Sequence, residues 1–182
     1  MTLYDRSCYF FYGEILIQIE SANAQCPGLV ALEASDAEPV ARLFGRLSAE
    51  SIYRRFFSPV VGPDEFARAV LRVDRLDRAA VAAVEDGEIV GVAQYARAPG
   101  RTEADLAIIV ADAWQRQGLG TRLVAALAER AKGQGITAFA VDVQGDNYAS
   151  IRLLRRVAPD IRLAFSEGVG EGSFPISSRD AE

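Results

Sequence analysis

The amino-acid sequence predicts one α/β domain built on a mixed sheet rather than a purely alternating, doubly wound one. Three observations lead there. Helical periodicity fills the chain from Ser35 to Leu71, a hairpin signal with an Asp86-Gly87 turn follows over Ala80–Tyr95, and strands and helices then interleave as far as Ile176. A length of 182 residues suits a single core, so residues 1–182 are expected to form one domain.

Each element has a local reason. Glu14 to Glu20 alternate apolar and polar side chains, which predicts an extra strand in an N-terminal extension, residues 1–28, broken at Cys26-Pro27-Gly28. Leu29 to Leu32 read as a short strand. Ser35 with Asp36 and Glu38 marks a helix start, because oxygen caps and acidic charge suit the positive helix end, and apolar positions continue through Val40, Leu43, Phe44 and Leu47. Ser48 with Glu50 opens a second helix over Ile52–Phe57, and Pro63-Asp64-Glu65 opens a third through Val70 and Leu71. Tyr53, Phe56 and Phe57 fall at helical spacing and are expected to form a core stripe that can also shape the floor of an acceptor site.

The hairpin over Ala80–Val84 and Ile89–Tyr95 is followed, after Pro99-Gly100, by a strand over Glu103–Val110. Gly118–Lys132 places Leu119, Leu123, Val124, Leu127 and Ala131 on one helical face and stops at Gly133 and Gly135. Ile136–Val143 then reads as a strand, Asn147–Val157 as a helix, Ile161–Phe165 and Gly172–Ile176 as closing strands, and 177–182 as a flexible tail.

Composition narrows the chemistry. The chain has no histidine, which removes the usual general base, the usual metal ligand and the serine or cysteine triad together. Acid–base work falls to carboxylates, Tyr, Lys, Cys or water. The net charge of −5 lacks the basic footprint of a general nucleic-acid binder and suits a cationic substrate. Cys8 and Cys26 are too few for a disulfide framework and too far apart for a metal knuckle, so they are expected to be reduced thiols. No window approaches a membrane-spanning run, and the aromatic cluster Tyr9–Tyr12 lacks the flanks of a signal peptide. A cytoplasmic protein without membrane, nucleic-acid or metal partners is expected.

The informative segment is Asp105–Val110, a turn, and Gln115-Arg116-Gln117-Gly118-Leu119-Gly120-Thr121 at the start of the long helix. The first amides of a helix have no intrahelical acceptor and lie at the positive end of its dipole. Glycines at 118 and 120 would let a pyrophosphate approach them closely. A dinucleotide fingerprint would need Gly at Leu123, and a P-loop would need Lys-Ser or Lys-Thr after its last glycine.

The pattern Gln-x-x-Gly-x-Gly after an apolar strand, followed by Thr121-Arg122-Leu123-Val124, resembles the acyl-CoA-binding motif of the GNAT superfamily, and the resemblance runs from about Leu29 to Ile176. It implies a mostly antiparallel sheet flanked by helices, with acyl-CoA in a splay between central strands. The implied cofactor contacts are Ile108, Ile109 and Val110 on the strand, Gln115 to Thr121 in the loop and helix start, and Asn147 beside the CoA arm. The family mechanism is direct attack of a deprotonated amine on the thioester, with strand amides stabilising the oxyanion and no metal required.

A finer resemblance, carried by Leu47–Phe57, Ile89–Ala93 and Leu153–Arg156, is to the GNAT domains of bacterial protein lysine acetyltransferases, whose targets include acyl-CoA synthetases. It implies acetyl-CoA as cosubstrate and a protein lysine as acceptor. Those enzymes place a Glu base at the strand position that aligns with Asp105; Glu103, two residues earlier on the same strand face, is the alternative base or a partner. The Tyr that protonates the leaving thiolate in many family members falls at Leu154, so a noncatalytic acyl-CoA-binding module is the competing reading. Small amines are the competing acceptors.

Overall fold

The computed structural model describes residues 8–12 and 15–19, as backbone only, and 27–58 and 62–176. The tail 177–182 and Cys26 lie outside the described residues, as does the Cys8 side chain. β1 (Cys8–Tyr12) and β2 (Ile15–Ile19) pair as an antiparallel hairpin, so the N-terminal segment holds two strands where one was expected. β3 (Gly28–Ala31) enters the main sheet. Three helices follow: α1 (Ala37–Phe44), α2 (Ala49–Phe56) and α3 (Pro63–Val70). The second half runs β4 (Arg78–Glu85), β5 (Glu88–Arg97), β6 (Glu103–Val110), a 3-10 turn over Asp112–Trp114, α4 (Leu119–Lys132), β7 (Ala138–Gln144), α5 (Tyr148–Val157), β8 (Ala164–Ser166) and β9 (Val169–Pro175).

The main sheet has the order β3-β4-β5-β6-β7-β9-β8, antiparallel throughout except at β6–β7. It is the mixed, mostly antiparallel sheet that was expected. Asp86 (φ 50°) and Gly87 (φ 76°) form the two-residue turn between β4 and β5, the left-handed pair that matches strand twist. The alanine-rich β4 is a strand because both its faces are covered. Ala79, Val81 and Ala83 pack beneath α4 with Leu123, Leu127 and Phe139, while Ala80 and Ala82 pack against Val40, Leu43 and Phe66 of α1 and α3. Small side chains let helices approach from either side, and this packing overrides the helix propensity of alanine.

Several boundaries differ from the expectation. The first helix ends at Phe44, and Leu47 lies beyond it, since Gly45 and Ser48 interrupt the chain. The closing strands begin later, at Ala164, and earlier, at Val169, because Glu167 (φ 51°) and Gly168 (φ 83°) make a tight hairpin between them. The expected stripe on α2 is only partly internal. Ile52 is buried and Phe56 meets Phe66 edge-on at 5.8 Å, but Tyr53 and Phe57 are 45% and 42% exposed. Positions 52 and 56 share the inward helix face, Tyr53 is turned about 100° away from it, and Phe57 lies past the helix end as its C-cap, in left-handed backbone (φ 54°). Among the described residues no helix is long and apolar enough to cross a membrane.

Candidate active site

The site begins where β6 hands the chain to α4. Arg116 (φ 62°) and Gly118 (φ 80°) both adopt left-handed backbone, alternating with negative-φ neighbours, an arrangement that turns successive amides toward one side. Gly118 is the N-cap of α4, and the first intrahelical bond runs from the Arg122 amide to the Gly118 carbonyl at 3.3 Å. The amides of Leu119, Gly120 and Thr121 precede it and have no intrahelical acceptor. A Cβ at Gly118 would project into open space, whereas one at Gly120 would meet Leu153 Cδ2 at 3.1 Å and Ile108 Cδ1 at 3.5 Å. The two glycines therefore serve different ends. Gly118 permits the backbone turn, and Gly120 permits the close approach of α4 to β6 and α5.

The second feature is a splay. β6 pairs with β5 from Ala104 to Val110, but with β7 only over Glu103–Asp105 against Ala138–Ala140. Beyond Asp105 the two parallel strands part, leaving the β7-facing edge of β6 without a strand partner. Two cavities meet along this opening. A groove of about 630 Å³ follows the α4 N-terminus and is bordered by Ile108, Ile109, Val110, Asn147 and Ser150. A smaller cavity of about 330 Å³ lies within the splay, walled by Leu106, Val141, Val143 and Leu154, with Asp105 and Asp142 on its strand side.

Arg54 and Arg55 border both cavities, while Asp105 and Asp142 border only the smaller one. Arg54, Arg55, Arg116, Arg152 and Arg156 line the groove, and among the described residues no carboxylate does. In a chain of net charge −5 this is a local reversal of sign suited to a polyanion. Among the described residues no cluster of three or more carboxylate or sulfur ligands could hold a metal ion.

α2 is tied to the loop that forms the groove. Asp112 accepts from the Ser48 amide at 3.0 Å and from Ser51 Oγ at 2.6 Å, while Gln115 Nε2 donates to Ser51 Oγ, Asp112 Oδ1 and the Val110 carbonyl. Partial burial works to raise the Asp112 carboxyl, but the hydrogen bonds from Ser51 and Ser48 outweigh it and hold the group below the ordinary carboxylate value. The sequence read Ser48 only as a cap for α2; it is that, with its hydroxyl accepting from the Ser51 amide at 3.2 Å, and it is also one end of this tether.

Most of the predicted site residues come together here. Ile108, Ile109, Val110, Gln115, Arg116, Gly118, Gly120, Thr121 and Asn147 all border the groove. The Gln115 side chain is committed to the tether, the Gln117 side-chain amide donates to the Ala113 carbonyl at 2.8 Å, and Leu119 is buried in the core; Gln117 and Leu119 do not border the groove. Asn147 is 8% exposed and its amide oxygen caps α5 by accepting from the Ser150 amide at 3.1 Å, leaving the amide nitrogen for the groove. The two carboxylates separate. Asp105 borders the splay cavity, whereas Glu103 accepts from Ser173 Oγ on β9 at 2.5 Å and lines neither cavity. Leu154 is buried at the position where a Tyr was sought, and Tyr148 is 66% exposed.

Comparison with known proteins agrees with this geometry. The acetyltransferase (GNAT) family model matches residues 47–158. The GNAT domain of S. lividans PAT superposes with a TM-score of 0.72 at 28% identity, covering 81% of this chain and 89% of that one. Two further structures share the fold: a putative acetyltransferase from Salmonella typhimurium solved with acetyl-CoA (TM-score 0.66, 16% identity, 85% and 96% covered) and a phosphinothricin acetyltransferase from Sinorhizobium meliloti in complex with AcCoA (0.62, 19%, 82% and 88%). With its family model spanning the segment from the α2 cap to the end of α5, and with a splayed β6–β7 pair leading from a glycine-opened helix, the chain belongs to the GNAT family of acetyltransferases.

Proposed function

We propose that this protein transfers an acetyl group from acetyl-CoA to the ε-amine of a lysine on a protein partner in the cytoplasm, with an acyl-CoA synthetase as the leading partner. One observation carries the acetyl-CoA part: an arginine-lined groove runs from the open amides of α4 into the β6–β7 splay. Those amides, with Arg116, Arg152 and Arg156, suit the phosphates of CoA. Bound acetyl-CoA would supply an activated thioester, whose C–S bond breaks as the amine forms the C–N bond, CoA leaving as a thiolate that takes its proton from water. The unpaired β6 edge beyond Asp105 holds amides that can donate to the carbonyl oxygen as it gains charge. Asp105 takes the proton of the attacking amine, directly or through water; its position where the strands part, bordering the splay cavity, supports this role. Glu103, two residues earlier on the strand, is held by Ser173 and is the alternative base.

The protein-lysine part is supported by the exposed Tyr53 on α2 and Phe57 at its C-terminal cap and by the likeness to the GNAT domain of S. lividans PAT. The test incubates the protein with acetyl-CoA and either small amines or candidate synthetases, measuring free CoA and mapping modified lysines by mass spectrometry. Site-specific lysine acetylation is expected. Efficient turnover of spermidine or an aminoglycoside, with no protein lysine modified above chemical background, would refute the acceptor assignment. Acetyl-CoA binding without CoA release in any mixture would make the chain a binding module instead.

A further inference from the structure

Two adjacent arginines near the end of α2 have unlike surroundings. Arg54 Nη2 meets Glu50 Oε1 at 2.5 Å, an ordinary pair one helical turn apart. Arg55, about 100° further round the helix, has no carboxylate partner among the described residues. Its guanidinium carbon lies 4.7 Å from the centroid of the Phe56 ring, and burial pushes its pKa down to about 10, so it stays charged at neutral pH. A desolvated cation without a counter-ion costs free energy that the ring alone recovers only in part.

Arg55 and Arg54 both border the groove and the splay cavity, and of the two it is Arg54 that already has a carboxylate partner, Glu50. The reading above assigns the phosphates of acetyl-CoA to the α4 amides and to Arg116, Arg152 and Arg156, which border the groove but not the splay cavity. Across the splay cavity from α2, the strand wall carries Asp105 on β6 and Asp142 on β7. The two walls therefore present opposite charge. A ligand that matches both carries an ammonium and a carboxylate, with its nitrogen toward Asp105 and its carboxylate toward Arg55.

We infer that Arg55 binds a carboxylate that the acceptor carries beside its reacting amine. The acceptor class is an amine with a neighbouring carboxylate: a lysine flanked by Asp or Glu on a protein, or a free amino acid. This rests on the acetyl-transfer reading above and narrows it, since the reaction stays the same while Arg55 selects which amines enter. An acceptor lacking the carboxylate leaves the half-buried guanidinium without a carboxylate partner in the bound state, which is the source of the discrimination.

The test measures kcat/KM at saturating acetyl-CoA for acceptor pairs that differ in one carboxylate. One pair is a peptide lysine flanked by Glu against the same peptide with Gln; the other is free lysine against the diamine left when its carboxyl is removed. The carboxylate-bearing member of at least one pair is expected to win by about 10- to 100-fold, the range of a charge-assisted hydrogen bond, and which pair responds identifies the source. Arg55→Gln should abolish the preference and Arg55→Lys should keep part of it. Wild-type protein that turns over both members of each pair equally overturns the inference, with no variant required. So does a preference that survives Arg55→Gln, or an Arg55→Gln protein that loses acetyl-CoA affinity by calorimetry with discrimination unchanged. A wild type that favours succinyl-CoA over acetyl-CoA while treating each acceptor pair alike would move the carboxylate to the acyl group and overturn it too. Absence of CoA release with every acceptor refutes the transfer reading itself, and is thereby distinct from equal turnover, which refutes this inference alone.

Discussion

Gly118→Asp is the most discriminating single change at the cofactor site. The new Cβ would meet nothing within 4 Å, so the fold has room for it. The backbone there has φ +80°, a left-handed conformation that costs a non-glycine residue about 1 kcal/mol, with Asp among the better tolerated. The carboxylate would project into the groove where the open amides of Leu119 to Thr121 are proposed to hold the pyrophosphate. At about 5 Å from a group of charge about −2, the repulsion is about 2 kcal/mol at the dielectric of water and about 7 kcal/mol at an effective value of about 20. The groove is open to solvent and salt, which favours the lower figure. Acetyl-CoA should then bind about 30-fold more weakly or worse, because each 1.4 kcal/mol is a factor of about ten. Isothermal titration calorimetry on the folded variant measures this directly. Gly118→Ala is the control, since it shares the strain without the charge and should lose much less. A folded Gly118→Asp protein with unchanged acetyl-CoA affinity would show that the phosphates bind elsewhere.

Other expectations follow from the same geometry. Asp105→Asn keeps the side-chain shape but cannot accept a proton; turnover should fall by about 100-fold or more with calorimetric acetyl-CoA affinity little changed, and wild-type turnover at every pH would pass the role to Glu103. Asp112→Ala leaves the Ser48 amide and Ser51 hydroxyl without their acceptor and should cost about 1 kcal/mol in chemical denaturation, at the low end of the range because the carboxylate is partly exposed. The folded Asp112 carboxyl lies below its ordinary 3.8, so its contribution is complete above that value and is lost only as pH falls through the lowered one. Melting curves should therefore show the wild-type advantage over Asp112→Ala unchanged from about pH 5 to 8 and shrinking in stronger acid. Phe66→Ala, a fully buried ring touching Phe44 and Phe56, should cost about 3–5 kcal/mol in urea denaturation; a loss below about 1 kcal/mol would mean that this core can collapse around the hole.

Much of the site was legible before the structure. The strand Glu103–Val110, its glycine-bearing turn and the long helix after it are written in local pattern, and local pattern is what hydrophobic periodicity and cap chemistry encode. The β4–β5 hairpin was legible for the same reason, since Asp86-Gly87 selects a two-residue left-handed turn regardless of what surrounds it. Strand ends near Gly168 and the end of the first helix were less so, because neighbours in space decide where pairing and coiling stop.

The sequence by itself determined the elements of the second half, the glycine-opened helix start and the absence of histidine chemistry, all of which are properties of residues close together in the chain or of composition. Tertiary structure alone decided which charged groups meet. Glu103 and Asp105 are equivalent by alternation along one strand, yet Ser173, seventy positions from Glu103, engages one carboxylate while the opening between β6 and β7 receives the other. Arg54 and Arg55 are equivalent as letters and both border the two cavities, yet a rotation of about 100° pairs the first with Glu50 and leaves the second without a carboxylate partner among the described residues. Asp112 lies 64 positions from Ser48 and reveals its role only once the β6–α4 loop has folded against α2. Hydrogen bonds and ion pairs act over a few ångströms in space, so contacts between residues far apart in the chain have no local signature in it.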